Sequence, residues 1–137
     1  YYHKIVDKIE LLNLSNNITI IDEIPREDLL FLYSRCHFLI FTSLYESIGY
    51  ILMEAMSCGA AVCCSNTTAV PEACKYAALY FDPYNTFDIA QKMIIMTEDD
   101  KIRKSFKRKS LERADELPDY QQVTAKVVSI IKKIVTK

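Results

Sequence analysis

Ser43-Leu44-Tyr45-Glu46-Ser47-Ile48-Gly49-Tyr50-Ile51-Leu52-Met53-Glu54-Ala55-Met56-Ser57-Cys58-Gly59-Ala60-Ala61-Val62 holds both glycines of the chain and, between Arg35 and Glu72, its only formal charges, Glu46 and Glu54. An ionised carboxylate in apolar surroundings is costly unless it is hydrogen-bonded or faces a ligand or a solvent-filled cleft, so each needs a local reason to be there. Gly59 reads as the left-handed stop of a helix over residues 49–57. Gly49 has no such explanation. It starts that helix just past a buried strand at residues 36–42, which is where α/β sheets place their ligands. A glycine there lets a ligand approach the free N–H groups of the first helical turn, an anion site suited to a diphosphate. Glu54 follows Tyr50 by four residues, one turn deeper on the same helix face, and its oxygens suit ribose hydroxyls. Glu46 precedes the helix, where it can bond sugar hydroxyls or stabilise positive charge developing at an anomeric carbon. On spacing alone, Glu46 reads equally as a surface or capping carboxylate and Glu54 as an exposed helix residue.

Outward from this stretch, helical periodicity alternates with short β-rich runs. That is the pattern of an α/β fold, a Rossmann-like parallel sheet flanked by helices. Upstream, a helix with Ile5, Ile9 and Leu12 on its inner face ends at the polar run 13–17, and residues 18–21 read as a strand. Pro25 opens the next helix, with Glu27 and Asp28 in its first turn and Leu29, Leu30 and Tyr33 facing inward. Downstream come a strand at 60–64, a short helix at 71–75 and a strand at 78–81. The turn Asp82-Pro83-Tyr84-Asn85 then starts a helix with Phe87, Ala90, Met93 and Ile94 on one side. Two further helices follow. The last carries a stripe of Tyr120, Val123, Val127, Ile130 and Ile134 that seeks a partner surface, after a hinge at Leu117-Pro118-Asp119. The reading divides the chain into a nucleotide-sugar-binding domain over 1–117, incomplete at its N-terminus, and a C-terminal amphipathic helix over 118–137.

The quoted run, with its two glutamates separated by seven residues, resembles the signature of family 4 glycosyltransferases. Asn17-Ile18-Thr19-Ile20 through Pro25, Val70-Pro71-Glu72-Ala73 and Leu79-Tyr80-Phe81-Asp82-Pro83 are similar to flanking elements of that family, so the resemblance runs from about Asn17 to the end. It implies the C-terminal half of a GT-B glycosyltransferase, two Rossmann-like domains facing across a cleft, transferring a hexosyl group to a glycan, lipid or other acceptor with retained anomeric configuration. Glu54 would then bind the ribose and Glu46 the transferred sugar near its reacting carbon, as the catalytic carboxylate. Ser47 and the backbone of Ile48, Gly49 and Tyr50 would hold the diphosphate. Ile20 and Ile24 would lie beside the base, with core packing as the other reading for both. The run departs from the family pattern: Ser47 and Ile48 replace the commoner glycine and phenylalanine, Asp22 stands where a glycine is usual, and Thr68-Ala69 replaces a glycine pair. The chain begins without methionine, and the acceptor-binding half and basic diphosphate clamp are expected upstream of Tyr1, so this chain by itself should not catalyse.

Composition narrows the alternatives. Seventeen basic and eighteen acidic residues leave a net charge of −1, which gives no global field for nucleic acid. No run reaches the ~18 apolar residues of a membrane span, and the start lacks a signal-peptide profile. The expected setting is cytoplasmic, with peripheral contact of the intact protein to the cytoplasmic membrane left open. The basic cluster Lys101, Arg103, Lys104, Lys107, Arg108 and Lys109 reads as a solvated helix face, interleaved with Glu98, Asp99, Asp100 and Glu112, or as a contact for anionic lipid. Five cysteines without Cys-x-x-Cys spacing read as small buried thiols in a reducing compartment. No Asp-x-Asp pair is present, so neither a metal nor another cofactor is expected beside the nucleotide-sugar. Two alternatives stay open: a non-catalytic nucleotide-binding or interaction module with a GT-B-like half fold, and a glycoside hydrolase using the two carboxylates.

Overall fold

The computed structural model describes residues 2–118 and 120–135, together with the backbone but not the side chain of Tyr120; Asp119 of the expected hinge and the Tyr120 ring of the last helix's stripe lie outside the described residues. In chain order the elements are α1 (Tyr2–Leu11), α2 (Arg26–Arg35), β1 (Leu39–Phe41), α3 (Tyr50–Ser57), β2 (Val62–Ser65), α4 (Val70–Cys74), β3 (Ala78–Phe81), α5 (Thr86–Glu98), α6 (Asp100–Asp115) and α7 (Tyr120–Val135). A single 3-10 turn, Lys75–Ala77, joins α4 to β3.

The three strands form a parallel sheet in the order β1-β2-β3, with Leu39 opposite Val62 and Val62 opposite Ala78. Both faces are covered, and the strand residues divide between them with a period of two. Leu39, Phe41, Val62, Cys64, Ala78 and Tyr80 pack on one side with Leu52 and Met56 of α3 and Ala73 of α4. Phe38, Ile40, Ala61, Cys63, Leu79 and Phe81 pack on the other with Ile89 and Met96 of α5 and Phe106 of α6. A third cluster seats Tyr33, Leu29 and Leu30 of α2 against Ala55 of α3, as the periodicity of α2 predicts. Asn85 caps α5 through the amides of Phe87 and Asp88, and Asp99 caps α6 through that of Ile102.

Three expectations fail. Residues 18–21 form no strand; Ile18, Ile20 and Ile21 are exposed, because β-rich composition makes a strand only where a neighbour accepts its hydrogen bonds, and the β1 edge of the sheet is unpaired by this segment. Helix α1 has no buried residue, so Ile5, Ile9 and Leu12 form no inner face; only Val6 and Ile9 reach half-burial. Phe87, Ala90, Met93 and Ile94 of α5 are exposed, since the helix turns Ile89 and Met96 to the sheet instead. In each case an apolar pattern specifies a face without specifying what covers it. The stripe Val123, Val127, Ile130 and Ile134 of α7 is likewise exposed.

Cys63, Cys64 and Cys74 are buried and Cys36 and Cys58 half-buried, all as free thiols. Burial pushes the Cys63 thiol up to about 12, which keeps it protonated and unreactive. The basic face of α6 is laced by ion pairs: Arg103 and Lys104 to Asp100, and Arg108 to Glu112. Lys107 crosses to donate to the Cys36 carbonyl. No helix among the described residues is long and apolar enough to cross a membrane.

Candidate functional site

The C-terminal ends of β1 and β2 open into two loops, residues 42–49 and 66–69, which meet beside the start of α3. Gly49 is the N-cap of α3 with φ +82°, a left-handed conformation that glycine adopts without steric cost. It is buried, and a Cβ built there would lie 3.4 Å from Leu52 Cδ1 and 3.5 Å from Ala73 Cβ. Leu52 and Met53 donate the first backbone bonds of the helix, both to the Gly49 carbonyl. The amides of Tyr50 and Ile51 therefore stand ahead of the helical bonding pattern, and no side chain caps them. Both contacts of a Cβ would be ordinary, so Gly49→Ala is expected to destabilise mainly through its left-handed backbone, by about 1–2 kcal/mol in urea denaturation. A loss below about 0.3 kcal/mol would mean that α3 starts in another conformation.

Glu46 is half-buried in the first loop. Its amide donates to Thr68 Oγ1 at 2.9 Å and its carbonyl accepts from the Ala69 amide at 3.4 Å. Its carboxylate has no hydrogen-bond or ion-pair partner among the described residues. Glu54 sits on α3, its side chain 32% exposed, with Oε1 2.9 Å from the Arg26 guanidinium. Neither glutamate is sealed in the interior. An exposed ion pair of this kind is worth under about 1 kcal/mol, so Arg26 does not lock Glu54 against a better partner. Beneath it, burial and then the nearby Glu54 charge push the Tyr33 hydroxyl up.

Ser47, Ile48 and Tyr50 are exposed around Gly49. Ser47 and Ile48 also line a cleft of about 300 Å³ with Met53, Ala69, Glu72 and Arg113; neither Glu46 nor Glu54 lines it. A larger hollow of about 670 Å³ lies at the α5–α6 corner, away from every predicted site residue. Ile24 is half-buried two residues before Arg26, so the chain there passes the Glu54 face of α3, whereas Ile20 is exposed farther back.

Sequence reading missed three residues that shape this region. Arg26 was visible only as part of a helix start, since its pairing with Glu54 spans 28 positions. Thr68 stood out as a departure from the family pattern, and the glycine usual at its place was the one signal for its φ of +51°. Arg113, beyond the basic cluster and between Glu112 and Asp115, is nearly buried; its Nε donates to the Ala73 carbonyl at 2.9 Å, and Nη1 meets Glu116 at 2.9 Å. Tyr76, through its hydroxyl, and then Arg113 hold the Glu116 carboxyl below the usual carboxylate range.

A parallel sheet flanked by helices, with a glycine-capped helix start at its C-terminal edge, is the architecture of the C-terminal half of a GT-B glycosyltransferase. The solved structure of sucrose-phosphate synthase from Thermosynechococcus elongatus has that architecture and superposes on 98% of this chain and 34% of its own with a TM-score of 0.87, at 20% identity. Residues 1–113 match the family described as Glycosyl transferases group 1, and the chain belongs to that family. It is 32% identical over 109 residues to O-antigen chain mannosyltransferase B of Escherichia coli, covering 80% of this chain. It is 35% identical over 85 residues to the serotype-specific mannosyltransferase WbdA of the same organism, covering 62% of this chain. The chain spans 28% of the length of the first relative and 10% of the second.

Proposed function

We propose that this chain binds a nucleoside-diphosphate sugar and forms the donor side of a retaining hexosyl transfer, with the acceptor held by a second Rossmann-like domain of the intact protein. The observation that carries the reading is the uncapped, glycine-initiated start of α3 with an unpartnered carboxylate before it and a solvent-reaching one within it. The amides around Ile48, Gly49 and Tyr50, with Ser47 beside them, receive the diphosphate, whose charge the helix N-terminus favours. Glu54 accepts from the ribose hydroxyls, exchanging its exposed pair with Arg26 for them. Ile24, and with it Ile20, flanks the base. Glu46 faces the sugar. As the bond from the anomeric carbon to the diphosphate oxygen breaks and the acceptor oxygen bonds to the same face, yielding its proton to the departing diphosphate, the negative charge of Glu46 stabilises the positive charge gathering on the ring. The names of the relatives support mannose as the first hexose to test, in the assembly of a bacterial surface polysaccharide.

Calorimetric titration of the intact protein with GDP-mannose, UDP-glucose and UDP-N-acetylgalactosamine tests the reading. One of them is expected to bind, and Glu54→Ala is expected to weaken it by roughly 10- to 100-fold, the loss of hydrogen bonds to a charged acceptor. Binding that survives Glu54→Ala unchanged removes Glu54 from the donor site. Neutral-glycoside hydrolysis without any nucleotide binding would return the hydrolase reading.

A further inference from the structure

Thr68 occupies a backbone conformation that its side chain opposes. Its φ of +51° lies in the left-handed region, where a β-branched residue is an outlier and is retained only when its surroundings over-determine it. What its side chain does there is specific: Oγ1 accepts the Glu46 amide at 2.9 Å, and the next amide, Ala69, donates to the Glu46 carbonyl at 3.4 Å. Both polar groups of Glu46's own backbone are therefore engaged by two consecutive residues of the loop after β2. The tether continues along the sheet edge. Fully buried Ser65 donates to the Ser43 carbonyl at 2.7 Å, and the Thr67 hydroxyl donates to Ser65 Oγ at 3.4 Å. Two hydroxyls of one strand end, those of Ser65 and Thr68, thus hold the loop of the neighbouring strand, with Thr67 bonded to Ser65 behind them, while the Glu46 carboxylate itself is anchored by nothing among the described residues.

We propose that Thr68 is a positioning residue for Glu46: its hydroxyl, presented by a left-handed backbone, fixes the Glu46 peptide so that the unpartnered carboxylate points into the donor site. This rests on the role given to Glu46 above. A carboxylate that stabilises developing charge acts only over a narrow range of placement, and a shift of about 1 Å costs on the order of 100-fold in rate. A glycine at position 68 adopts the same φ without strain but offers no acceptor to the Glu46 amide. Loop position and fold stability are thereby separable at this residue.

The test uses the intact protein, measuring turnover of the nucleoside-diphosphate hexose that binds in the titration above, together with the melting temperature. Thr68→Gly is expected to lower kcat roughly 10- to 100-fold with an unchanged or higher melting temperature. Thr68→Ser, which keeps the hydroxyl, is expected to stay within about threefold of the wild type. Glu46→Gln is measured alongside. If Glu46→Gln is impaired and Thr68→Gly is not, the positioning role is overturned while the donor-site reading stands. If Glu46→Gln turns over like the wild type, the donor-site role of Glu46 fails first, and the role of Thr68 with it. A fall in kcat that tracks a fall in melting temperature, or one that Thr68→Ser shares, also overturns the proposal.

Discussion

Glu46→Gln in the intact protein is expected to lower turnover by about 100- to 1000-fold while leaving donor affinity nearly unchanged. The substitution keeps the size and one acceptor oxygen of the side chain, exchanges the other oxygen for an NH2 donor and removes the charge. The two bonds that hold residue 46, through its amide to Thr68 and its carbonyl to Ala69, are backbone bonds and survive it. Any effect on rate therefore reports the carboxylate and not a displaced loop. Uniform binding of substrate and transition state raises affinity without raising kcat, so a group acting on charge that gathers only at the transition state shows itself in kcat. The competing description, a carboxylate on an exposed loop with a capping role, predicts the opposite division: a small change in stability and none in turnover. A Glu46→Gln protein with wild-type kcat would settle the matter in favour of that description.

That Glu46 and Glu54 stood out in the sequence follows from the physics of parallel sheets. Strands buried on both faces read as apolar runs, and against that background two isolated carboxylates and two glycines are conspicuous. The start and stop of α3 were legible for the same reason, since φ values of +82° and +75° favour residues without a Cβ. β3 lies at the expected residues, and β2 is displaced by one or two from the run expected at 60–64, since strand ends are set by pairing partners that composition does not reveal. Residues 18–21 show the limit of local pattern: they have the composition of a strand and no ladder to join. The apolar side of α5 shows the same limit for helices, because Phe87 and Ile94 face outward while Met96 is fully buried. Thr68 and Arg113 were hidden for a different reason. Each acts on a residue distant in sequence, 22 positions from Thr68 to Glu46 and 40 from Arg113 to Ala73.

Arg113→Met is expected to give the largest stability loss of any single substitution considered, about 3 kcal/mol, read as a lower urea midpoint with an unchanged slope. The guanidinium is nearly buried, its side chain 8% exposed, and it donates to two carbonyls of α4: Ala73 at 2.9 Å and, more weakly, Glu72 at 3.4 Å. Those carbonyls end a helix and have no onward helical partner, so a cation there satisfies orphan acceptors and the negative end of the helix together. Methionine fills most of the volume and supplies no donor, which leaves buried acceptors unpaired. The ion pair with Glu116 contributes much less, because that carboxylate is largely in water, and Glu116→Gln should leave the midpoint nearly unmoved. Lysine at 113 keeps the charge but cannot serve divergent acceptors with one planar fork, so Arg113→Lys should fall between the two. The consequence reaches the donor loop through Ala73, whose methyl group is the atom that a Gly49 side chain would meet at 3.5 Å. Loosening α4 should therefore weaken nucleoside-diphosphate hexose binding in the Met variant even where the protein remains folded. An unfolding free energy within about 1 kcal/mol of the wild type would show that water replaces the guanidinium at the end of α4 and that this helix does not depend on α6 to hold its place against Gly49.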